Sequence, residues 1–444
     1  MQFPRTRFLP KWLTAILLLP IAFSLPAQAT ETVLHTFAGP PTDGANPAGG
    51  LIADGAGNLY GTTPAGGMFG AGAVYVLPAI TGTTDNVLYS FAGGSDGGTP
   101  LSTLVLDASG NLWGTTEHGG ITLSSPCTGG CGVVFKLTPI GGGMYTESVV
   151  YAFTGGIDGG MPLAGLTMDP TGNFYGTASC GGSSGNCGGG YGVVFEINAT
   201  GVFTVLHSFM GTIDGALPKA SVIFNGGVLY GTTEFGGGMG VGTTCPNNIG
   251  CGVVFALSAS GGNVALLHQF HGANDGGEPL APVVLNGATN ILYGTASCGG
   301  LTISCARGSG GNGVVFHVGA TGSAFGITLP FSGSKGARPA AGLVFNTART
   351  FLYGTAEFGG LTSGNCATLG CGVVFKITLS GTETVLYKFP GGSRGANPVA
   401  GVFLAPGVPD NLFPPQRGGC TGACGTAVSG GDSGNNGVVY QSTP

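Results

Sequence analysis

The chain has 444 residues, of which 42% are hydrophobic and only 7% are charged. Its net charge of −6 argues against nucleic acid and anionic membrane surfaces as partners, because both attract basic proteins. Its 92 Gly and 27 Pro would indicate a disordered chain if the sequence had no period.

The first 29 residues have the order of segments found in a secretory signal peptide. Arg5, Arg7 and Lys11 precede the apolar run Trp12–Leu25, and the small residues Ala27–Ala29 follow it. We therefore expect cleavage after Ala29, export to the periplasm or the extracellular space, and no membrane span in residues 30–444. Cleavage would remove these three basic residues and leave 10 basic and 19 acidic residues, so the mature chain would have a net charge of about −9.

Four short strand patterns then follow in chain order and recur to the end of the chain. Strand D is "TVLHTF", ending at Phe37, and a "DGxxP" turn connects it to strand A, which in the third repeat is "AGLTMD" at Ala164–Asp169. Strand B is "GNLYGTT" at Gly57–Thr63, and strand C begins at Gly72 with "GAVYVL". The aromatic residue of strand B recurs 53 to 63 residues apart, at Tyr60, Trp113, Tyr175, Tyr230, Tyr293, Tyr353 and a degenerate Phe413.

This periodicity predicts one all-β domain over residues 30–444, a seven-bladed β-propeller with four antiparallel strands per blade. Each of strands B, C and D carries one aromatic position per repeat, as packing between neighbouring blades requires. The chain begins with a lone strand D and ends after a strand C at "GVVYQ". We therefore expect the N-terminal strand to complete the last blade and so close the ring.

The tandem motifs "NLYGTT", "GVVFK", "TVLHSF" and "DGxxP" resemble the GloVer tandem repeat family of exported bacterial proteins. The resemblance covers nearly the whole mature chain and implies a signal peptide followed by repeats. It implies no biochemical activity, and it supplies no catalytic residue.

Twelve cysteines occur as one pair between strands B and C in each of repeats two to seven. An even number, an export signal and one pair per loop predict six local disulfides. Zinc is the alternative, but the pairs lie on separate repeats and have no histidine partner, so we predict no metal and no cofactor. The predicted pairs are Cys127 with Cys131, Cys180 with Cys187, Cys245 with Cys251, Cys298 with Cys305, Cys366 with Cys371, and Cys420 with Cys424.

The turn between strands D and A carries an aspartate in five repeats, and Lys335 and Arg394 take its place in the next two. An aspartate before glycine is typical of a turn in which the carboxylate accepts backbone N–H groups, with calcium binding as the alternative. The five aspartates are Asp43, Asp96, Asp158, Asp214 and Asp275.

Antiparallel strands place the D–A turns and the B–C loops at one end of the ring. Glu117, Glu234 and Glu357 follow strand B there, and Lys335, Arg338, Arg394 and Arg417 form a basic sector. These seven residues are our candidate ligand-binding residues, because breaks in repeat symmetry can mark selection for function.

We predict a monomeric exported binding or scaffold module that presents disulfide-stapled loops on one face. Its partner would be a carbohydrate, another polar or anionic ligand, or a cell-surface component. The alternative is a carboxylate-dependent glycoside hydrolase or polysaccharide lyase on the same face. The recurrence of the three glutamates favours binding over catalysis, because a catalytic centre is asymmetric.

Overall fold

A computed structural model describes most of the chain after the predicted signal peptide. The described residues are 30–79, 86–121, 127–238, 245, 249–301, 305, 311–363, 366, 369–404, 423–427 and 436–443. The predicted signal peptide, Arg417 and Cys420 lie outside them. The fold is all-β, and the only helical segment in the described ranges is a single 3-10 turn at Gly392–Arg394.

Six antiparallel blades follow one another along the chain, and each uses strands A to D in order. Their bounds are Ile52–Ala53, Leu59–Thr63, Ala73–Leu77 and Asn86–Ser90 in blade 1; Val105–Leu106, Leu112–Thr116, Val133–Gly141 and Met144–Ala152 in blade 2; Thr167–Met168, Phe174–Ala178, Val193–Ile197 and Phe203–Ser208 in blade 3; Ile223–Asn225, Val228–Thr233, Val253–Ser258 and Ala265–Gln269 in blade 4; Val284–Asn286, Ile291–Ala296, Val314–Gly319 and Gly326–Pro330 in blade 5; and Val344–Phe345, Phe351–Ala356, Val373–Thr378 and Glu383–Lys388 in blade 6. A small two-stranded sheet pairs Gly44–Ala45 with Ala65–Gly66.

The two ends of the chain form a further four-stranded sheet, which we call the terminal sheet. Its order is Thr30–Thr36, Val438–Thr443, Ala423–Ala427 and Phe403–Leu404. Val33 lies opposite Tyr440, and Thr36 lies opposite Val438, in an antiparallel register. The N-terminal strand therefore takes the place of strand D beside the last strand C, and this predicted pairing is confirmed.

Aromatic rings connect each sheet to the next around the fold. The phenylalanine after strand D packs edge-to-face on the strand C ring of the following sheet, with ring centroids 5.0 to 5.4 Å apart. The first contact, Phe37 with Tyr75, joins the terminal sheet to blade 1, and Phe389 with Tyr440 joins blade 6 to the terminal sheet. The recurring aromatic positions of strands C and D are therefore the packing between sheets.

The glycine of "YGT" lies under the strand C ring. Gly176 is opposite Phe195 in the register of blade 3. A Cβ atom added to Gly176 would lie 2.4 Å from Cζ of Phe195, so the ring occupies the space of a side chain. The same approach recurs in the other five blades, which explains why strand B keeps a glycine inside a strand.

A threonine hydroxyl on strand B ties each blade to the next sheet. Oγ1 of Thr62 donates to the carbonyl of Ser102 at 2.8 Å, and Oγ1 of Thr115 donates to that of Ala164 at 2.8 Å. Thr177, Thr232, Thr295 and Thr355 make the same bond to Ala220, Ala281, Ala341 and Ala400 at 2.9–3.0 Å. The acceptors lie just before strand A, at the centre of the fold.

Candidate functional site

The D–A turns and the B–C loops meet at one end of the fold, which we call the loop face. Isolated antiparallel bridges join the turn to the start of the loop within a blade, for example Gly98 to His118, Gly160 to Cys180 and Ala337 to Phe358. The predicted placement of these two loop sets on one face is therefore confirmed.

The turn aspartates hold the turns together. Oδ2 of Asp96 accepts a hydrogen bond from Tyr89 at 3.1 Å and from the backbone N–H of Ala92 at 2.7 Å. Asp158 binds Tyr151 in the same way, whereas Asp43, Asp214 and Asp275 lie 2.9–3.2 Å from Nε2 of His35, His207 and His268. These contacts confirm the interpretation as turn chemistry, and they explain why strand D carries either tyrosine or histidine in the five repeats that have a turn aspartate.

A second carboxylate lies beside one of these turns. Glu147, on strand D of blade 2, has one buried carboxylate oxygen with no hydrogen-bond partner among the described residues. Burial and the negative charge of Asp96 raise the pKa of Glu147 from 4.5 to about 7. The folded protein therefore holds a proton at this position that the unfolded chain releases between these two values.

We expect Glu147→Gln to change how stability depends on pH. Because the folded pKa is above the unfolded value, the wild type loses stability as pH rises from 4.5 to about 7. The variant should match the wild type at pH 4 and be the more stable protein at pH 8, measured by urea unfolding at both values. A stability difference that is the same at the two pH values would contradict this assignment.

Five of the six predicted cysteine pairs lie among the described residues, and all five are disulfide-bonded within one loop. Their Cα atoms are 4.7 to 5.4 Å apart. The sixth pair falls outside this set, because it includes Cys420.

A central cavity of about 420 Å³ lies where the segments before strand A converge. Its lining comes mostly from Gly, Ala, Leu, Val and Pro, with Ser and Thr as the uncharged polar residues. Lys219 is the one charged residue in that lining, within the part of the chain that the structure describes. The equivalent positions of the other repeats are Ala48, Leu101, Leu163, Leu280, Ala340 and Val399.

Lys219 and four other charged residues from blades 4, 5 and 6 lie close together, and we call these five the rim cluster. Nζ of Lys219 lies 2.7 Å from Oε2 of Glu234, and Nε of Arg338 lies 3.5 Å from Oε2 of Glu357. Glu278 interacts electrostatically with both pairs, because the charges of Glu234, Lys219 and Arg338 all act on its carboxyl group. The cluster is therefore Lys219, Glu234, Glu278, Arg338 and Glu357.

Burial changes the acidity of the rim cluster. Burial raises the pKa of Glu278, and the charge of Glu234 raises it further, against the opposing effect of Arg338 and Lys219. Burial also raises the pKa of Glu357, while Arg338 lowers it. Two carboxyl groups with raised pKa values therefore lie beside two cations, an arrangement that can donate and accept hydrogen bonds.

An unusual backbone conformation holds Glu278 and Arg338 in place. Both have φ of 53°, in the left-handed region, and each directly precedes a proline. Their N–H groups donate to the carbonyls of Cys251 and Asn312 in the preceding blade at 2.8 Å. The same position has a φ of 52° to 59° in every repeat, at Asn46, Thr99, Met161, Leu217 and Asn397 as well. The turn therefore fixes this position beside the cavity, and the residue type varies.

Some of the predicted site residues belong to the rim cluster, and others lie elsewhere on the loop face. Glu234, Arg338 and Glu357 belong to the rim cluster, whereas Glu117 lies beside His118, with Oε2 3.4 Å from Nδ1. Lys335 and Arg394 are exposed on their turns. The charge of Lys335 acts on half-buried Glu383, opposing the rise that burial causes in the pKa of that carboxyl group.

Sequence reasoning missed Lys219 and Glu278. Aligning the repeats would have revealed Lys219, because the other repeats have Ala, Leu or Val at that position. Glu278 is harder to recognise by alignment, because its position is variable, with Asn, Thr, Met, Leu or Arg in the other repeats.

The sequence model of the protein family described as the Gloeobacter/Verrucomicrobia repeat matches residues 21–245 of this chain. The chain belongs to this repeat family. No curated protein matches it in sequence.

Solved structures resemble this repeat protein in fold. The oligogalacturonate lyase of Vibrio parahaemolyticus is 9% identical, with a TM-score of 0.50 over 94% of this chain and 94% of that chain. The GH74 enzyme of Niastella koreensis is 16% identical, with a TM-score of 0.46 over 79% of this chain and 46% of that chain. At these identities the similarity concerns the fold alone. No helix in the described ranges of the repeat protein is long and apolar enough to cross a membrane.

Proposed function

We propose that this protein is an exported binding module that recognises a hydroxyl-rich ligand, such as a carbohydrate, at the rim cluster. The proposal includes a ring of seven blades, in which the terminal sheet is the seventh. Five disulfides support export, because disulfides persist in oxidising compartments. The observation that carries the binding role is the rim cluster itself, which breaks the repeat symmetry beside the central cavity.

The chemistry of the rim cluster favours hydroxyl groups over strong anions. Both of its cations are already paired, Lys219 with Glu234 and Arg338 with Glu357. With three carboxyl groups and two cations, the cluster has no excess positive charge to attract an anion. Carboxylates and cations fixed together offer acceptors and donors at short range, which is what sugar hydroxyls require.

The anionic ligand that the basic sector suggests has weaker support. The negative charge that would compensate Lys335 comes from Glu383. Lys335 therefore already has an acidic neighbour within the protein, which weakens the case for an anionic ligand there.

Catalysis is the second candidate, and one observation favours it. Burial raises the pKa of Glu278 and of Glu357, which favours their protonated forms relative to an ordinary glutamate, the direction that a general acid in glycoside cleavage requires. A hydrolase would release new reducing ends, and a lyase would release unsaturated ends. A binding module would release neither.

The test is a screen of the purified mature protein against immobilised neutral and acidic polysaccharides, scoring both retention and new chain ends. We then expect Lys219→Leu/Glu234→Gln to lower the affinity for a retained glycan at least tenfold, because each lost charged hydrogen bond costs about 1.5–3 kcal/mol. Leucine is the residue of three other repeats at this position, so the fold should tolerate it.

The matched control is Glu117→Gln. Glu117 occupies the same position after strand B but lies outside the rim cluster, so this variant should keep the wild-type affinity. Equal losses in both variants, or retention only of acidic glycans, would reject the proposed site. Thermal unfolding of each variant separates lost binding from lost folding.

A further inference from the structure

The central cavity is aliphatic at the end nearest the loop face. Each repeat contributes one residue there, directly after the proline of the D–A turn, and we call these residues the cavity ring. All of them are partly exposed, whereas the proline before each and the residue after each are buried, so the ring residues line the cavity. The cavity ring is Ala48, Leu101, Leu163, Lys219, Leu280, Ala340 and Val399.

Lys219 lies between two leucines of the cavity ring. The threonine bonds from blade 3 to Ala220 and from blade 4 to Ala281 show that blades 3, 4 and 5 are neighbours around the cavity. The ring residues of these three blades are Leu163, Lys219 and Leu280. The one charged side chain of the described cavity lining therefore has an aliphatic residue on each side.

The rim cluster supplies a hydrogen-bond donor and an acceptor next to these leucines. The ammonium group of Lys219 has three N–H donors and its side chain is 33% exposed, so donors remain beyond the ion pair with Glu234. Glu278 is two residues before Leu280, and its carboxyl group interacts with the charges of Lys219 and Glu234. A ligand at this place would therefore meet a donor, an acceptor and an aliphatic surface together.

We propose that the ligand of the rim cluster is an acetamido sugar, whose acetamido group binds in the cavity ring between Leu163 and Leu280. This inference rests on the proposed carbohydrate-binding function and narrows it to one class of sugar. The amide carbonyl would accept a hydrogen bond from Lys219, and the amide N–H would donate to a carboxylate of the rim cluster. The methyl group would contact the two leucines.

A hydroxyl group alone does not use this surface. It can pair with Lys219 and Glu234, but against leucine it loses hydrogen bonds to water without gaining others. A methyl group gains free energy when it leaves water for the same surface. An acetamido group is also uncharged, which suits a cluster whose cations are already paired. It therefore matches the donor, the acceptor and the aliphatic residues at once, as small-ligand sites typically do.

The test compares three β-1,4-linked oligosaccharides of equal length that differ at carbon 2 of each sugar. Chito-oligosaccharide carries an acetamido group there, cello-oligosaccharide a hydroxyl group, and de-N-acetylated chito-oligosaccharide an ammonium group. Isothermal titration calorimetry of the mature protein gives the dissociation constants. We expect the acetamido compound to bind at least about tenfold more tightly than the hydroxyl compound, because a methyl group leaves water and an amide gains hydrogen bonds.

The variant Leu163→Ala/Leu280→Ala removes the aliphatic surface beside Lys219 and keeps the rim cluster. Alanine is the ring residue of two other repeats, at Ala48 and Ala340, so the fold should tolerate it. This variant should lose most of the preference for the acetamido compound. Its affinity for the hydroxyl compound should be unchanged, because that compound does not use the leucines.

The matched control is Leu301→Ala/Leu369→Ala. These two leucines lie in B–C loops outside the cavity lining and are 64% and 62% exposed. The control should keep the wild-type preference for the acetamido compound. Thermal unfolding of both double variants shows whether each is folded.

The failure of this inference can be told apart from the failure of the proposed function. Equal binding of the acetamido and hydroxyl compounds, with both weakened by Lys219→Leu/Glu234→Gln, would leave the carbohydrate site in place and overturn the acetamido preference. Tighter binding of the ammonium compound, or a preference that survives in Leu163→Ala/Leu280→Ala, would also overturn it. If the polysaccharide screen retains another glycan but the acetamido compound does not bind, this inference alone is rejected. If no glycan binds at all, both are rejected.

Discussion

Deletion of residues 31–37 is expected to be among the most damaging changes to this protein. The deletion removes the strand that pairs with Val438–Thr443 and exposes an unpaired edge at the last strand C. It also removes Phe37, which is fully buried and packs on Tyr75 of blade 1. Loss of that ring alone costs about 3–5 kcal/mol, which is a large part of the stability of a typical domain.

The deletion can be checked by thermal unfolding and size-exclusion chromatography of the truncated and full mature proteins. We expect a much lower midpoint or aggregation through the open edge. The point variant Phe37→Ala should lose about 3–5 kcal/mol without opening the edge. Its control is Phe69→Ala, because Phe69 is 60% exposed and should be nearly neutral. A truncated protein as stable and monomeric as the full one would mean that the terminal sheet does not hold the fold together.

The second large effect is expected from Gly176→Ala. One methyl group on strand B of blade 3 would lie 2.4 Å from Cζ of Phe195 and 2.9 Å from Cδ2 of Leu166. Phe195 is fully buried and packs on Phe153 of the preceding blade, so the ring cannot move without disturbing that contact. We expect a loss of about 3 kcal/mol from overpacking, measured by urea unfolding.

Gly189→Ala in the same blade is the matched control. Gly189 lies in the B–C loop, and a Cβ atom added there would have no neighbour within 4 Å. This variant should be within about 0.5 kcal/mol of the wild type. If Gly176→Ala were equally mild, the aromatic ring would not be the reason for the recurring "YGT" glycine.

The sequence by itself determined the repeat, its four strands and the pairing of the chain ends. Each of these depends on local patterns, namely alternating β-branched and aromatic residues bounded by Gly, Asp and Pro. The lone strand D before Phe37 and the lone strand C at Val438 left one pairing that satisfied both edges. The disulfide pairs could also be predicted from the sequence, because both cysteines of each described pair lie within one loop.

Only the tertiary structure decided which side chains meet across blades. Lys219 and Glu234 are close in the sequence, but Glu278 and Arg338 reach them from two further blades. The sulfur atoms of Cys127 and Cys180 lie within 4.8 Å of each other although they belong to separate repeats. The physical reason is that repeats encode their own strands locally. Contacts between repeats depend instead on how the sheets pack around the centre and on the turns before each proline, and no local pattern specifies that geometry.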